Sequence, residues 1–286
     1  MFKIGIDDFS YHRNYGWIIP GQSDSGKRWT LDDFLHRAAE LNVDTVSLET
    51  YFMPKLDRSF LTELKQKLSD KGMEGMLAWG HPQGLETGKN KKAAEDLIRT
   101  IKLYKYFGNS VLHIRGGGLA DRNLEPQQLQ IERLSAMLKD IGVVAADNGI
   151  ILAMENHMDF TADEQIEIIA RVNSPNLKVL LDTGNNLRLL EDPMAVVEKL
   201  APHAVALHVK DMIATGKGNP VTEWRKFWHT APLGKGIIDL PEVIQILKKN
   251  HFEGPLNLEI DFLNPCWRDD DQAVVESIAY LRAINI

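Results

Sequence analysis

The sequence predicts an α/β fold, a (β/α)8 TIM barrel that forms a single domain over residues 1–286. Short β-type runs alternate with longer helical patterns along the whole chain, and eight such pairs are the number that this barrel requires. The sequence contains no Pro/Gly/Ser-rich linker that would divide it into two domains. A doubly wound open sheet alternates in the same way, but here Asp7–His12 follows the first strand in place of a Gly-rich nucleotide-binding loop.

Eight strands and eight helices are predicted in alternation. The predicted strands are Lys3–Asp8, Asp44–Glu49, Glu74–Trp79, Ser110–Arg115, Ile150–Glu155, Leu177–Asp182, Ala204–Val209 and Pro255–Ile260. The predicted helices are Leu31–Leu41, Ser59–Lys71, Lys91–Phe107, Glu125–Asp147, Ala162–Val172, Pro193–Leu200, Asp239–Asn250 and Asp271–Ile284. Thr30 and Asp33 fit a capping box at the first helix, and Pro126, Pro193 and Pro241 fall near helix starts, where proline is tolerated.

Composition excludes several classes of protein. The chain is 44% hydrophobic and 26% charged, which is typical of a folded domain and not of a disordered one. Its 33 Lys and Arg against 40 Asp and Glu give a net charge of −7, which argues against a nucleic-acid partner. No apolar run approaches the roughly 18 residues of a membrane span, and the acidic N-terminus is unlike a signal peptide. We therefore expect a cytoplasmic protein without a membrane partner, and Cys266 has no second cysteine to pair with.

Charged and polar residues recur at the carboxyl ends of the predicted strands. Successive side chains of a strand point to opposite faces, so the apolar set faces the helices and the other set fills the barrel. This alternation places the following residues inside at the mouth: Asp7, Glu49, Trp79, His81, His113, Arg115, Glu155, Asp182, His208, Lys210, Glu259 and Asp261. Six carboxylates would then converge with only Arg115 and Lys210 to offset them, so the pattern predicts a bound cation.

The last four strands contribute the predicted metal ligands Glu155, Asp182, His208 and Glu259. Three carboxylates and an imidazole suit one divalent ion, Mn²⁺ first and then Co²⁺, Mg²⁺ or Zn²⁺. Two remaining coordination positions fit neighbouring oxygens of a sugar or keto-sugar, and a metal that holds both oxygens acidifies the C–H between them. A carboxylate on each side of the substrate can then remove and return the proton.

Several segments resemble one known family. They are Leu152–His157, Leu180–Asn185, Leu207–Asp211, Leu258–Asp261 and Pro232–Asp239. They are similar to the xylose isomerase-like TIM-barrel superfamily, in its sugar phosphate isomerase/epimerase branch, with ketose 3-epimerases and inosose dehydratase-like proteins among its members. The resemblance implies that Glu155, Asp182, His208 and Glu259 bind the metal. It also implies that Glu155 and Glu259 are the catalytic acid and base of an isomerase or epimerase.

Two departures keep a second reaction open. Ketose 3-epimerases carry a histidine where this chain has Asn185, and an arginine where it has Ala214. Lys210 lies in a His-x-Lys-Asp segment, as in inosose dehydratase-like proteins. The alternative is therefore a dehydratase or lyase that acts on a keto-sugar or keto-inositol by β-elimination after the same proton removal.

Further residues are predicted to contact substrate. They are Glu49, Trp79, His81, His113, Arg115, His157, Asn185, Lys210 and Trp224. Trp224 belongs to the long excursion Asp211–Gly236, which is expected to cover the mouth. Gly234–Gly236 precedes a helix and is a candidate site for the phosphate of a phosphorylated substrate.

Two other functions are weighed against the enzyme. An endonuclease IV-type nuclease shares the barrel but needs three zinc ions and more histidines, and Asn185 stands where one would be needed. A catalytically silent sugar-binding protein would bind a sugar without the metal. Association into a homo-oligomer is left open by the sequence.

Overall fold

The computed structural model describes residues 1–81 and 84–285. Its strands are β1 Ile4–Asp7, β2 Thr45–Glu49, β3 Glu74–Ala78, β4 Val111–Ile114, β5 Ile151–Glu155, β6 Leu177–Asp182, β7 Ala204–Val209, β8 Asp211–Ala214, β9 Trp228–Ala231 and β10 Leu256–Leu258. β8 and β9 form an antiparallel pair, and the other eight strands close a parallel barrel in the order β1-β10-β7-β6-β5-β4-β3-β2. The predicted (β/α)8 barrel is confirmed.

Helices follow the barrel strands. They are α1 Leu31–Glu40, α2 Arg58–Asp70, α3 Lys91–Tyr104, α4 Leu119–Arg122, α5 Gln127–Asp147, α6 Ala162–Val172, α7 Pro193–Leu200, α8 Trp224–Phe227, α9 Leu240–Lys249 and α10 Asp270–Ile284. The capping box of Thr30 and Asp33 is present at α1, and Pro193 begins α7. The short helix α8 and the β8–β9 pair lie inside the excursion that the sequence analysis treats as a loop. Within the described residues, every helix is too short or too polar to span a bilayer.

The barrel interior is filled in its lower half by small and apolar side chains. Met76, Ala153, Leu180 and Ala206 form a buried cluster that is separate from the larger core between strands and helices. At the amino-terminal end, a Cβ on Gly5 would lie 2.1 Å from the Thr45 Oγ1 atom, so only glycine fits there. The ligand-type side chains Glu155, Asp182, His208 and Glu259 lie above this layer, at the carboxyl-terminal ends of the strands.

The face assigned to the third strand is wrong. Glu49 of β2 pairs with Ala78 of β3, and Ala78 pairs with His113 of β4. Paired residues of parallel strands point to the same side, so Ala78 faces the interior and Trp79 faces the helices. The residues Met76, Leu77 and Ala78 are all apolar, and the alternation of residue types therefore could not decide between the two faces.

Candidate active site

The four predicted metal ligands meet at one point in the barrel mouth. Glu155 and Asp182 end β5 and β6, His208 lies in β7, and Glu259 directly follows β10. Asp182 pairs with His208 across the sheet, which places both side chains at the same height. One ligand atom from each of the four buried residues lies within 4.8 Å of the others. This cluster could hold a metal ion.

Unpartnered polar atoms in the cluster fit a divalent cation. The Asp182 Oδ1 atom accepts hydrogen bonds from the Gly184 and Asn185 backbone amides, each at 2.8 Å, while Oδ2 accepts no hydrogen bond from a described residue and lies 3.1 Å from the Lys210 ammonium. His208 Nδ1 lies 2.8 Å from the Glu259 Oε2 atom, but neither atom makes a hydrogen bond within the described residues. Buried polar atoms without partners cost free energy, and a cation between them would remove that cost.

The pKa of Asp182 supports the same interpretation. Burial raises the pKa of Asp182 to about 6, although the nearby Lys210 ammonium acts to lower it. The carboxylate therefore lacks enough positive charge around it to be fully stabilised. Three carboxylates and one imidazole form a ligand set typical of Mn²⁺ and related divalent ions.

Glu155 is held in place by two polar neighbours. Its Oε2 atom lies 3.1 Å from His113 Nε2, and its Oε1 atom accepts a 3.0 Å hydrogen bond from the side-chain amide of Asn185. Burial acts to raise the pKa of Glu155, but His113 and His208 outweigh this effect and hold the pKa well below its usual range. Glu155 is therefore an ionised carboxylate with a fixed orientation.

Lys210 supplies a buried positive charge next to the ligands. Its side chain is 1% exposed, and its Nζ atom lies 3.1 Å from Asp182, 3.2 Å from Asp261 and 3.4 Å from Glu259. Burial acts to lower the pKa of Lys210, but the three carboxylates raise it above its usual value. Burial acts to raise the pKa of Glu259, but Lys210 and His208 together lower it to about 2.

Arg188 is a third cation that the sequence analysis did not identify. It is 1% exposed, and it donates to Asp261 at 2.8 Å and to the side-chain oxygen of Asn185. The expectation that only Arg115 and Lys210 offset the carboxylates is therefore wrong. Arg188 lies in a short 3-10 helix, Asn185–Leu189, that follows β6, and strand alternation gives no information there. The sequence feature that could have placed Arg188 near the site was its position six residues after Asp182, the residue that ends β6.

A cavity of about 380 Å³ opens above the cluster and is called the mouth cavity here. Its size suits a single sugar-sized ligand. Nine of the predicted site residues line it: Glu49, His113, Arg115, Glu155, His157, His208, Lys210, Trp224 and Glu259. The expectation that the Asp211–Gly236 excursion reaches the mouth is confirmed by Trp224.

Asn185, Trp79 and His81 lie outside the mouth cavity. Asn185 is 1% exposed, and its amide is engaged by Glu155, Arg188 and Lys210, so it orients other side chains. The expected placement of Trp79 and His81 at the mouth is wrong, because β3 presents the opposite face. The Trp79 Nε1 atom donates to Asp96 of α3, and His81 stacks against Trp79.

Two loops add an aromatic wall that the sequence analysis missed. Phe9 and Trp17 follow β1, Tyr51 follows β2, and all three line the mouth cavity. The rings of Trp17 and Tyr51 are stacked at 5.0 Å. Positions 9–17 are rich in aromatic residues, and this was the available signal in the sequence. Only the folded segment places these side chains over the barrel.

Glu49 and His157 have shifted proton affinities at the cavity wall. Burial raises the pKa of Glu49 to about 8, with Arg115 acting in the opposite direction. Burial also lowers the pKa of His157 to about 4. At neutral pH, Glu49 is therefore a proton donor, and His157 is a neutral imidazole.

The predicted phosphate site at Gly234–Gly236 is wrong. The Asp211 carboxylate accepts hydrogen bonds from the Gly234, Gly236 and Ile238 amides at 3.0, 2.7 and 3.2 Å. A carboxylate of the chain itself thus occupies the amides that would have bound an anion. The motif closes a loop and does not form an anion site.

Comparison with known proteins agrees with this architecture. Residues 35–284 match the family model described as xylose isomerase-like TIM barrel. The chain belongs to this family. The resemblance stated from the sequence motifs is therefore confirmed.

The proteins that this chain resembles differ in the reaction their names give. The chain is 29% identical over 279 residues to inosose dehydratase of Clostridium botulinum, covering 91% of this chain and 89% of that protein. It is 26% identical over 192 residues to 3-oxo-isoapionate decarboxylase of Pectobacterium atrosepticum, covering 66% and 62%. The structure of L-ribulose 3-epimerase matches with a TM-score of 0.74 at 19% identity, covering 100% of this chain and 95% of that one. The relatives support an enzyme, and family membership leaves the reaction open.

Proposed function

We propose that this protein is a metal-dependent isomerase or epimerase of a sugar or keto-sugar. It would remove a proton from the carbon next to a carbonyl and return it at another position or face. The observation that carries the proposal is the cluster of Glu155, Asp182, His208 and Glu259 at the base of the mouth cavity, with buried ligand atoms that have no hydrogen-bond partner.

Each residue of the cluster has a role in this reaction. The four side chains would hold one divalent ion, with Mn²⁺ first among the candidates. The bound ion would supply a Lewis acid that polarises a substrate carbonyl and lowers the pKa of the adjacent C–H. Glu155 and Glu259 both line the cavity as ionised carboxylates, so either can remove the proton, and the carboxyl group formed in that step carries the proton that is returned to the substrate.

The surrounding residues prepare these two carboxylates. His113 and Asn185 fix the orientation of Glu155, and the Lys210 ammonium keeps Glu259 ionised. Ring and hydroxyl groups of the substrate would contact Trp224 and the other polar residues of the cavity wall. The aromatic loops limit the access of water to the reacting carbon.

A dehydratase is the second candidate, and the proton donors in the cavity favour it. Lys210 carries a proton, and Glu49 is protonated at neutral pH. After a carboxylate removes the proton beside the carbonyl, the electron pair forms a C=C bond as the β-hydroxyl leaves. A proton from Glu49 or Lys210 makes that group water. The similarity to an inosose dehydratase over 91% of the chain supports this outcome.

Metal analysis followed by deuterium exchange tests the proposal. The purified chain is expected to carry or take up about one divalent ion, and to exchange substrate C–H for deuterium in D₂O when keto-sugars and keto-cyclitols are screened. Product of unchanged mass apart from deuterium indicates an isomerase or epimerase, whereas loss of water indicates the dehydratase.

Matched variants separate chemistry from folding. Glu259→Gln should keep the fold and abolish exchange, and Glu253→Gln makes the same change at an exposed position and should behave as wild type. Exchange at the wild-type rate in Glu259→Gln would refute the assignment. A chain that takes up neither Mn²⁺ nor Co²⁺ would refute the metal mechanism and favour a sugar-binding protein, and about three zinc ions per chain would favour a nuclease.

A further inference from the structure

A second cavity, called the outer cleft here, adjoins the mouth cavity. Its volume is about 790 Å³, and its walls come from residues 13–23, residues 217–229 and residues 262–270. Pro20 and Arg225 line both cavities. A ligand that reacts in the mouth cavity and extends past Arg225 would therefore enter the outer cleft.

The charge of the outer cleft is opposite to that of the protein. The net charge of the chain is −7, yet one carboxylate, Asp270, faces this cleft among five cationic side chains. The five are Arg13, Lys217, Arg225, Lys226 and Arg268. Such a local excess of positive charge attracts anions to a surface that otherwise repels them.

Three of the five cations are available to a ligand. Arg13 is occupied by Asp270, to which it donates at 2.8 and 2.6 Å, and Lys226 is occupied by Glu223. For the side chains of Lys217, Arg225 and Arg268, the structure records no hydrogen bond or ion pair with any described residue. All three of these side chains are exposed.

Arg225 is also placed where a negative charge would be favourable. Its guanidinium lies 4.4 Å from the centre of the Trp224 ring, and that of Arg188 lies 4.7 Å from the same centre. Burial and the charge of Arg188 both lower the pKa of Arg225. An anion at the cleft side of Arg225 would offset this repulsion.

Part of the cleft lining is apolar. Phe262 and Leu263 are buried, and Trp267 and Pro265 also line the cleft. A cleft lined by both apolar and cationic side chains fits the carbon chain or ring of a ligand that ends in an oxyanion.

We propose that the outer cleft binds an oxyanion, a phosphate or a carboxylate, on the part of the substrate that projects from the mouth cavity. The proposal rests on the proposed function for the reacting end of that substrate. It moves the anion site from the Gly234–Gly236 turn, which Asp211 fills, to the rim formed by Lys217, Arg225 and Arg268.

The proposal is tested by calorimetric titration of the full chain at constant ionic strength. Inorganic phosphate is the ligand in one titration and acetate in a parallel one. The chain is titrated after EDTA treatment, which keeps phosphate from binding a metal ion, and again after metal loading. The test variant Lys217→Gln/Arg268→Gln leaves the mouth cavity intact. The control Lys71→Gln/Lys139→Gln removes the same charge at exposed positions, one directly after α2 and one on α5.

Wild type should bind phosphate saturably with and without metal, and the test variant should bind it at least about tenfold more weakly. The control should bind as wild type. Tighter binding of phosphate than acetate assigns a phosphate arm, and equal or tighter binding of acetate assigns a carboxylate arm. Absence of saturable binding, wild-type affinity in the test variant or an equal loss in the control would each overturn the proposal.

The two proposals fail separately. A chain that takes up no metal but binds phosphate through Lys217 and Arg268 would refute the proposed reaction and leave the outer cleft as an anion site. A chain that takes up metal and exchanges substrate protons without anion binding would refute the outer cleft alone.

Discussion

Replacing Lys210 by methionine is expected to destabilise the metal-free protein strongly. The Lys210 Nζ atom lies within 3.4 Å of carboxylate oxygens of Asp182, Glu259 and Asp261, and the side chain is 1% exposed. Methionine keeps the length and the apolar stem of the side chain and removes its charge. The three carboxylates would then share the charges of Arg188 and His208 alone.

The size of the effect follows from the burial of the ion pairs. Removing one partner from a buried ion network costs about 3–5 kcal/mol. An unfolding entropy of about 2.1 cal/mol/K per residue gives a chain of 286 residues roughly 0.6 kcal/mol/K. Lys210→Met should therefore lower the Tm by about 5–8 °C.

Thermal unfolding in EDTA at neutral pH measures this shift. Lys199→Met is the matched control, because Lys199 pairs with Asp163 at 2.8 Å on the exposed surface, where solvent screening leaves such a pair with little effect on stability. Added Mn²⁺ should stabilise Lys210→Met more than wild type, since the ion restores positive charge beside Asp182 and Glu259. A Tm shift no larger than that of the Lys199→Met control would refute the buried ion network.

Three further outcomes are expected. His208→Ala should lose bound metal on dialysis, because one of the four ligands is gone; metal content equal to wild type by elemental analysis would contradict its role. Glu49→Gln should weaken the pH dependence of stability, because between the ordinary glutamate pKa of 4.5 and a pH of about 8 the unfolded chain loses the Glu49 proton and the folded chain keeps it. The free energy of unfolding of wild type therefore falls as pH rises through this window, and urea denaturation across it should show a smaller fall for the variant; identical slopes would count against the raised pKa. Asp211→Ala should cost roughly 1–3 kcal/mol in urea denaturation, because it leaves the buried Ile238 amide and the part-buried Gly236 amide without their acceptor; a loss below about 1 kcal/mol would mean that these amides find other acceptors.

The sequence predicted the metal cluster because the relevant strands have one clear apolar face. In β6 and β7, every second residue is apolar and faces the helices, and the inward-facing residues between them include Asp182 and His208. A period of two fixes which side chains share a face, and the common direction of parallel strands brings their ends together. The four ligands could therefore be named without coordinates.

The same reasoning failed where both faces of a strand are buried. The β3 residues Met76, Leu77 and Ala78 satisfy either face equally well. The pairing of Ala78 with Glu49 and His113 selects one of them and turns Trp79 away from the mouth. Register between strands is a long-range property, and local alternation does not contain it.

The positions of side chains outside the strands were the other feature that could not be predicted from the sequence. Arg188, Trp17 and Tyr51 reach the mouth cavity from connections after strands, where Arg188 and Tyr51 lie in single 3-10 turns too short to give a periodic pattern and Trp17 lies in irregular backbone. The Gly234–Gly236 turn has the sequence of an anion site, yet Asp211, more than 20 residues earlier, occupies its amides. Contacts between distant segments decided these cases.

The sequence by itself determined the barrel, the ends of its strands and the four residues that could hold a metal, because local periodicity and strand direction suffice for all three. Only the tertiary structure decided which way β3 faces, where Arg188 lies and which cations of the outer cleft are left without partners. These features depend on packing between segments far apart in the chain, and packing of that kind leaves no periodic signal in the sequence.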